Sequence, residues 1–423
     1  MENRTQSILE RYGKKVEIDL SYFIGNGFWV FLRQLLAAFG SVILYAVFVR
    51  YAEQEFFGSY QFVLTIVAII GITALPGMGA ALVQASVRKY DGTYRRMFSL
   101  IIRGSFVGSV ILVFLATYFF RGSSEFGFSL LLVAALFPLF SAFSLWDSFL
   151  QGKERFDVIA KYSVVLILAQ TVSVCLAVIL FRENLIAAIA MYFLVTILTS
   201  GVLYLKSLRF IQNEVVDDES IKFGFFMTKV SVLGIIAEQI DKVLVGLLLG
   251  PANLAVYTVI SFFGVKIKDA IRSFASMLVP KLTLEEMNFL QLMHRHKKVI
   301  LIIAISASII SVVFFLFVDT VNSLIFTDKY SMYSALSRAY AITLLLSIPL
   351  TVAGYYVYAK RNAYALMLSS TVFYALRIAM NIIGIYFYGL IGAVVAYNLS
   401  MIVLLFIYWW GIYHEEHLIS LQR

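Results

Sequence analysis

The sequence predicts an all-α integral membrane fold, with about twelve transmembrane helices in two parallel-repeat six-helix bundles around a central lumen. Three observations carry this. Hydrophobic residues make up 61% of the 423-residue chain and charged residues only 14%, where a typical soluble protein has about 25% charged. Twelve apolar stretches reach the roughly 20 residues that a helix needs to cross a bilayer. Lysine and arginine divide unequally between alternate loops, 21 on one side and 4 on the other.

Taken in order, residues 1–21 hold Arg4, Arg11, Lys14 and Lys15 among acids and polar side chains. They lack the short apolar core and small-residue cleavage site of a signal peptide, so the first span is expected to be retained. Spans at 22–49, 56–83, 97–119, 126–150, 159–181 and 185–205 form an N-terminal bundle, 22–205. A charged linker, 206–222, leads to a C-terminal bundle, 223–413, with spans at 223–249, 253–280, 299–318, 333–358, 363–387 and 390–413. Residues 414–423 are a tail. With the N-terminus inside, all 21 basic loop residues are cytoplasmic, and Arg50, Arg121, Arg182 and Lys329 are the four outside. Short loops follow this positive-inside rule, so both termini are expected in the cytoplasm. Thr283 and Glu286 give a capping-box start to a short amphipathic helix over 284–298, lying along the cytoplasmic interface.

The two bundles open alike: a long span, a tight outside turn, a second span and a basic stretch. Phe28 to Arg96 is the first copy and Phe225 to Lys298 the second. Gly58 and Tyr60 follow the first turn; Ala255 and Tyr257 follow the second, 197 residues on. Six crossings return the chain to its starting side, which makes the repeats parallel and places a substrate path at their interface.

With Lys161 counted in the 151–161 loop, nine cations lie inside spans: Arg33, Arg103, Lys229, Lys242, Lys266, Lys268, Arg272, Arg338 and Arg377. A cation at the bilayer centre costs about 2.5–3.5 kcal/mol on insertion scales, so such residues usually face a watery interior. Only four carboxylates accompany them, Asp147, Glu238, Asp241 and Asp269. That excess predicts a cavity for something anionic, with Arg33, Lys242, Lys266, Lys268, Arg272 and Arg377 as substrate-binding residues. At about 100° per residue, Lys266, Lys268, Asp269 and Arg272 share one side of the eighth span, and Phe263, Ile267, Ile271 and Phe274 the other. Asn26 and Gln34 join Arg33 on the first span, and Tyr374 and Asn381 join Arg377 on the eleventh, as uncharged polar lining. Glu238, Asp241 and Asp269 are candidates to take up a coupling ion; the plainer reading is that they neutralise neighbouring lysines. Glu238 and Lys242 have a favourable four-residue ion-pair spacing. Arg103, Lys229 and Arg338 lie near span ends, where long side chains snorkel to the interface.

Other chemistry is not indicated. No Gly-x-x-x-x-Gly-Lys-Ser/Thr run is present, so no P-loop motor is expected. Gly77-x-Gly79, within a span, reads as close helix packing. His294 with His296, and His414 with His417, lack a completing Cys or His and read as solvated surface. No metal and no cofactor is expected, apart from H+ or Na+ as a coupling ion. Cys175 is alone, which excludes an intrachain disulfide. The formal charge of +9 lies where it sets topology, so no nucleic-acid partner is expected.

The run Phe57-Gly58-Ser59-Tyr60, continuing through Gly71, Leu75, Gly77 and Gly79 to Arg88-Lys89, resembles the first-half pattern of bacterial polysaccharide (O-antigen type) flippases. Asp241-Lys242, Gly250-Pro251, Tyr257 and Pro280-Lys281-Leu282 resemble the second half. This family belongs to the multidrug/oligosaccharidyl-lipid/polysaccharide exporter superfamily, and the likeness in span number and loop length runs the whole chain. Arg50-Tyr51 and Ala255 depart from it, standing where the pattern has glycine. The resemblance implies a V-shaped pair of six-helix bundles in a bacterial inner membrane, alternating access. It would move an undecaprenyl-pyrophosphate-linked oligosaccharide from the cytoplasmic to the outer leaflet, for lipopolysaccharide synthesis. Its implied partners are that lipid-linked glycan, membrane lipids, and the polymerase and chain-length regulator of the same pathway.

Two other classes fit twelve spans. A multidrug exporter of the same superfamily should show an acidic cavity for cationic drugs, against the cation excess here. A membrane glycan polymerase or ligase should carry a sizeable outside loop, and the longest, about 319–332, is small. A transporter rather than an enzyme is therefore expected.

Overall fold

The computed structural model describes residues 20–275, 297–326, 330, 333–359 and 363–421, together with Phe289, Gln291 and His294. The expected N-terminal segment, most of the 284–298 helix and the Pro280-Lys281-Leu282 match lie outside the described residues. Among the described residues the elements are helices joined by turns, as the composition requires. In order they are α1 (Leu20–Tyr51), α2 (Gln54–Ile70), α3 (Gly77–Val87), α4 (Gly92–Phe119), α5 (Ser124–Phe143), α6 (Trp146–Gly152) and α7 (Phe156–Leu180). There follow α8 (Leu185–Ser207), α9 (Asp218–Leu244), α10 (Pro251–Ala275), α11 (Lys297–Phe326), α12 (Ser334–Ala359), α13 (Ala363–Met367) and α14 (Phe373–Leu421).

Nine stretches among the described residues are long and apolar enough to cross a membrane. The last of them runs through Gly389, whose φ of 57° and ψ of −134° break the helix, so it supplies two crossings. The two long helices missing from the nine are α9 and α10, and these carry the charges. Counting them gives the expected twelve crossings. The protein is a multi-pass membrane protein, and its surface agrees. Phe114 and Leu198 are 69% and 68% exposed and Leu324 72%, an outward apolar surface that only lipid can cover at this scale.

Contacts gather the chain into two compact units, Met1–Leu44 with Ile70–Lys229 and Tyr45–Ile69 with Val230–Arg423. In the first, α5 packs on α4 and α8, and α7 on α8. Its core stacks Tyr94 on Phe149 with ring centres 4.2 Å apart, and the Tyr94 hydroxyl meets Ser207 Oγ at 2.7 Å. Beside it Asp91 is wholly buried. Lys153 Nζ lies 2.6 Å from its Oδ1, and the Gln212 amide donates to its Oδ2 at 2.7 Å. One carboxylate thus ties the α3–α4 turn to the end of α6 and to the segment entering α9, since a buried charge persists only when paired and hydrogen-bonded.

Helix starts in this unit follow their sequence signals. Ser123 and Asn184 accept from the amides of Phe126 and Ala187 at the starts of α5 and α8. Asp217 accepts from the amides of Glu219 and Ser220 at the start of α9, satisfying donors that a helix leaves open.

In the second unit α12 packs on α10, α11 and α14. The end of α1 and the start of α2 contribute an aromatic cluster in which Phe48 contacts Phe56, Phe57 and Tyr60. Here Gly58 is required by contact: a Cβ would fall 1.7 Å from the Pro251 carbonyl oxygen. Tyr60 and Tyr257, the residues matched between the proposed repeats, are both fully buried. The apolar side of α10 also finds a partner. Phe263 and Ile267 border a groove against Ile309, Val313 and Phe317 of α11.

Candidate functional site

The charged residues of the second unit come from α9, α10 and α14, and two irregularities position them. A π-turn over Val245–Leu249 follows Asp241 and Lys242 and ends at Gly250, φ +88°. Pro251 then opens α10 at the position where its missing N–H costs nothing. A second π-turn, Leu368–Val372, precedes Tyr374 and Arg377. Extra residues of this kind shift the phase of a helix, and they recur at functional sites.

Arg377 and Lys268 converge on one aromatic ring, that of Tyr397. Lys268 Nζ donates to the Tyr397 hydroxyl at 2.7 Å. The Lys268 ammonium and the Arg377 guanidinium each lie 5.3 Å from the ring centre. Arg377 is 6% exposed. Its Nε has no hydrogen-bond partner, and among the described residues no carboxylate lies within ion-pair distance. One turn on, Asn381 is fully buried; its Nδ2 donates to the Arg377 carbonyl at 2.9 Å, while its Oδ1 has no partner. Tyr374 packs over Gly234, and its phenol feels the charges of Glu238, Arg272 and Arg377.

The remaining candidates surround this group. Asp241 is 4% exposed and accepts from the Tyr257 hydroxyl and the Lys242 amide at 2.7 and 2.8 Å. Glu238 is exposed, and no ion pair joins it to Lys242 among the described residues. The spacing brings the two within a turn without closing the bridge. Lys266 lies in the field of Asp269 and Lys242. The α9–α10–α14 group thus holds five of the predicted cations against three carboxylates, all within one unit.

Arg33 is placed elsewhere, in the first unit. Its Nη1 and Nη2 donate to both oxygens of Asp147 at 3.0 and 3.1 Å, a bidentate pair from α1 to α6. Gln34 is half-buried on α1. Asn26 lies in α1, with its side chain outside the described residues. Arg338 pairs with Asp319, while Arg103 and Lys229 are exposed. Tyr257, the repeat partner of Tyr60, is buried and bonded to Asp241, so its ring is not available to a ligand.

Two features carried no sequence signal that periodicity could find. Tyr397 lies beyond the Gly389 break from Arg377, and no helical wheel crosses such a break. The Arg33–Asp147 pair joins residues 114 positions apart.

Three comparisons bear on this architecture. The sequence profile described as "Polysaccharide biosynthesis protein" matches residues 23–283. No curated protein matches the sequence. Among solved structures, the lipid II flippase MurJ in an inward closed conformation is similar at 14% identity and a TM-score of 0.68, covering 92% of this chain and 87% of its own. A mutant of the MATE transporter VcmN of Vibrio cholerae has a TM-score of 0.58 at 14% identity, with coverage of 95% and 98%. A MOP superfamily transporter from Pyrococcus furiosus, described as having a binding pocket of reversed polarity, has a TM-score of 0.54 at 14% identity, with coverage of 99% and 95%. At such identities the likeness concerns the fold, which is that of flippases and transporters. The profile spans more than half of the sequence, and the chain belongs to the polysaccharide biosynthesis protein family.

Proposed function

We propose that the protein is a flippase for a polyprenyl-pyrophosphate-linked oligosaccharide, of the O-antigen type, carrying it from the cytoplasmic to the outer leaflet of a bacterial inner membrane. The observation that carries this reading is Arg377: a guanidinium 6% exposed, inside a membrane protein, with no carboxylate in ion-pair distance among the described residues. A buried charge costs several kcal/mol unless it is compensated. A diphosphate passing the Arg377–Lys268–Tyr397 group would compensate it, through charge-assisted hydrogen bonds to two cations. A cationic drug would meet charge of its own sign there, which weighs against the multidrug reading.

Glu238, Asp241 and Asp269 are the candidates to couple an H+ or Na+ gradient to transport. Of the three, Asp241, held by Tyr257, is the most buried, and Asp269 directly follows Lys268 in the chain. The glycan polymerase and chain-length regulator of the same pathway would act on the product at the outer leaflet. The test is deletion of the gene followed by extraction of the two leaflets. Loss of surface glycan, with lipid-linked units accumulating on the cytoplasmic leaflet, is the expected result. Unchanged surface glycan in the deletion strain would refute the reading.

A further inference from the structure

The first unit holds a second, chemically different site, and the Arg33–Asp147 pair defines it. A cavity of 140 Å³ is lined by Trp29, Arg33, Asp147, Gln151 and the apolar side chains of Phe156 and Ile159. A cavity of about 150 Å³ accommodates a six-membered ring. The lining carries no net charge, because the guanidinium and the carboxylate cancel in the bidentate pair. The pair is not a sealed clamp: its side chains remain 42% and 35% exposed, and a pair that accessible contributes only about 0–1 kcal/mol to stability. The Arg33 N–H groups and Asp147 lone pairs not used in the pair stay available to hydroxyls, and Gln151 adds an amide that both donates and accepts. Trp29 adds an electron-rich ring. Its attraction for positive charge is already visible in Lys161, whose Nζ lies 5.9 Å from the ring centre.

We infer that the Trp29–Arg33–Asp147–Gln151 cavity is a carbohydrate subsite that receives one pyranose ring of the substrate. The chemistry discriminates between parts of such a substrate. A phosphate needs uncompensated cations, which the Arg377–Lys268 group offers; here the one cation among the lining residues, Arg33, is already paired, and Lys161 lies over the Trp29 ring outside the lining. A polyprenyl chain needs an apolar wall, whereas this lining places an ion pair and an amide among its apolar side chains. A sugar presents weakly positive C–H groups on one side, suited to an indole, and adjacent hydroxyls suited to planar guanidinium and carboxylate groups. Arg33 therefore contacts glycan rather than diphosphate. This rests on the flippase reading above, and deepens it by giving the sugar a site of its own in the first unit.

The test uses the full-length purified protein in lipid nanodiscs and two probes: a polyprenyl diphosphate, and the same lipid carrying an oligosaccharide. Wild-type protein is expected to bind the glycosylated probe about tenfold more tightly, a difference near 1.4 kcal/mol. Trp29→Ala should erase that preference while leaving the Kd for bare polyprenyl diphosphate unchanged. Trp29→Phe, which keeps an aromatic face, should retain part of it. Asp147→Asn should also erase the preference, and should strengthen binding of the bare diphosphate because Arg33 is no longer neutralised. If Trp29→Ala kept the preference, or weakened both probes equally, the sugar subsite would be overturned and the flippase reading would stand. Should wild-type protein bind neither probe, the flippase reading would fall and the subsite with it.

Discussion

The Tyr257 hydroxyl donates to Asp241 Oδ2 at 2.7 Å, joining the carboxylate at the end of α9 to the first turns of α10. Both side chains are almost wholly buried. The pair closes over the π-turn between the helices, so it fixes the geometry that presents Lys242 and, further along α10, Lys266 and Lys268. Replacing Tyr257 by Phe removes the donor and keeps the ring. An unsatisfied buried acceptor costs about 1–3 kcal/mol, more when charged. Tyr257→Phe should therefore lower the apparent Tm of the detergent-solubilised protein by several degrees, and Asp241→Asn should lower it less, because an amide still accepts from the phenol. Equal melting of Tyr257→Phe and wild type would show that the bond contributes nothing to the packing of α9 on α10.

A second expectation concerns Gly58. Any side chain there must push α2 off the start of α10, because its Cβ would overlap the backbone carbonyl of Pro251 rather than a movable side chain. Overpacking in a dense interior costs about 1–3 kcal/mol and often more. Gly58→Ala should reduce the amount of folded protein in the membrane fraction, and Gly58→Val should nearly abolish it. Normal levels of Gly58→Val would mean that α2 does not approach Pro251 this closely.

The Asp91–Lys153 pair and Asp217 give two separate tests at the same end of the first unit. Asp91→Ala leaves Lys153, only 13% exposed, without its counter-charge, and breaking one partner of a buried pair typically costs about 3–5 kcal/mol. The expected outcome is loss of folded protein, with Asp91→Ala/Lys153→Met partly restoring it. Asp217 acts through pH. The hydroxyl of Ser220 and the amides at the start of α9 hold its carboxyl below the ordinary carboxylate range. A carboxylate whose folded pKa is depressed stabilises the fold above its unfolded pKa, about 3.9, and loses that contribution as pH falls through the lower folded value. Asp217→Ala should cost about 1 kcal/mol at neutral pH, as N-cap losses do, and the difference from wild type should shrink below about pH 4. A mutant deficit that stayed constant into acid would exclude this capping role.

Ten of the twelve crossings were legible because length and apolarity alone define them, and the charged α9 and α10 were legible as a wet-faced pair because their polar residues recur at helical spacing. The same rule put Arg377, Tyr374 and Asn381 on one face, and Asn381 Nδ2 donates to the Arg377 carbonyl one turn away. What the wheel could not convey was partnership between helices. It presented Arg33 as an isolated cation, although Asp147 lies against it across 114 residues of chain. It also suggested a Glu238–Lys242 bridge, although the side chains do not meet. Periodicity reports which way a residue points, whereas ion pairing depends on which helix comes to lie opposite. Tyr397 illustrates the same limit, since the Gly389 break resets the phase between it and Arg377.

The last prediction separates charge from geometry at Arg377. Arg377→Gln keeps hydrogen-bond donors and removes the charge; Arg377→Lys keeps the charge and removes the planar fork that grips phosphate oxygens in pairs. If the group meets a diphosphate, glutamine should reduce glycan export at least about tenfold while the protein reaches the membrane in normal amount, because a neutral donor forgoes roughly half the strength of a charge-assisted bond. Lysine should restore part of the activity. Lys268→Met should cost less, since Arg272 and Lys266 lie on the same helix face and Arg377 still contacts Tyr397. Tyr397→Phe, which keeps the ring between the two cations but removes the acceptor for Lys268, should fall between wild type and Lys268→Met. The order matters more than any single value. Were Arg377→Gln to export normally while Tyr397→Phe failed, the ring and its hydroxyl would be the working element, and the arginine would serve the packing of α14 instead of the substrate.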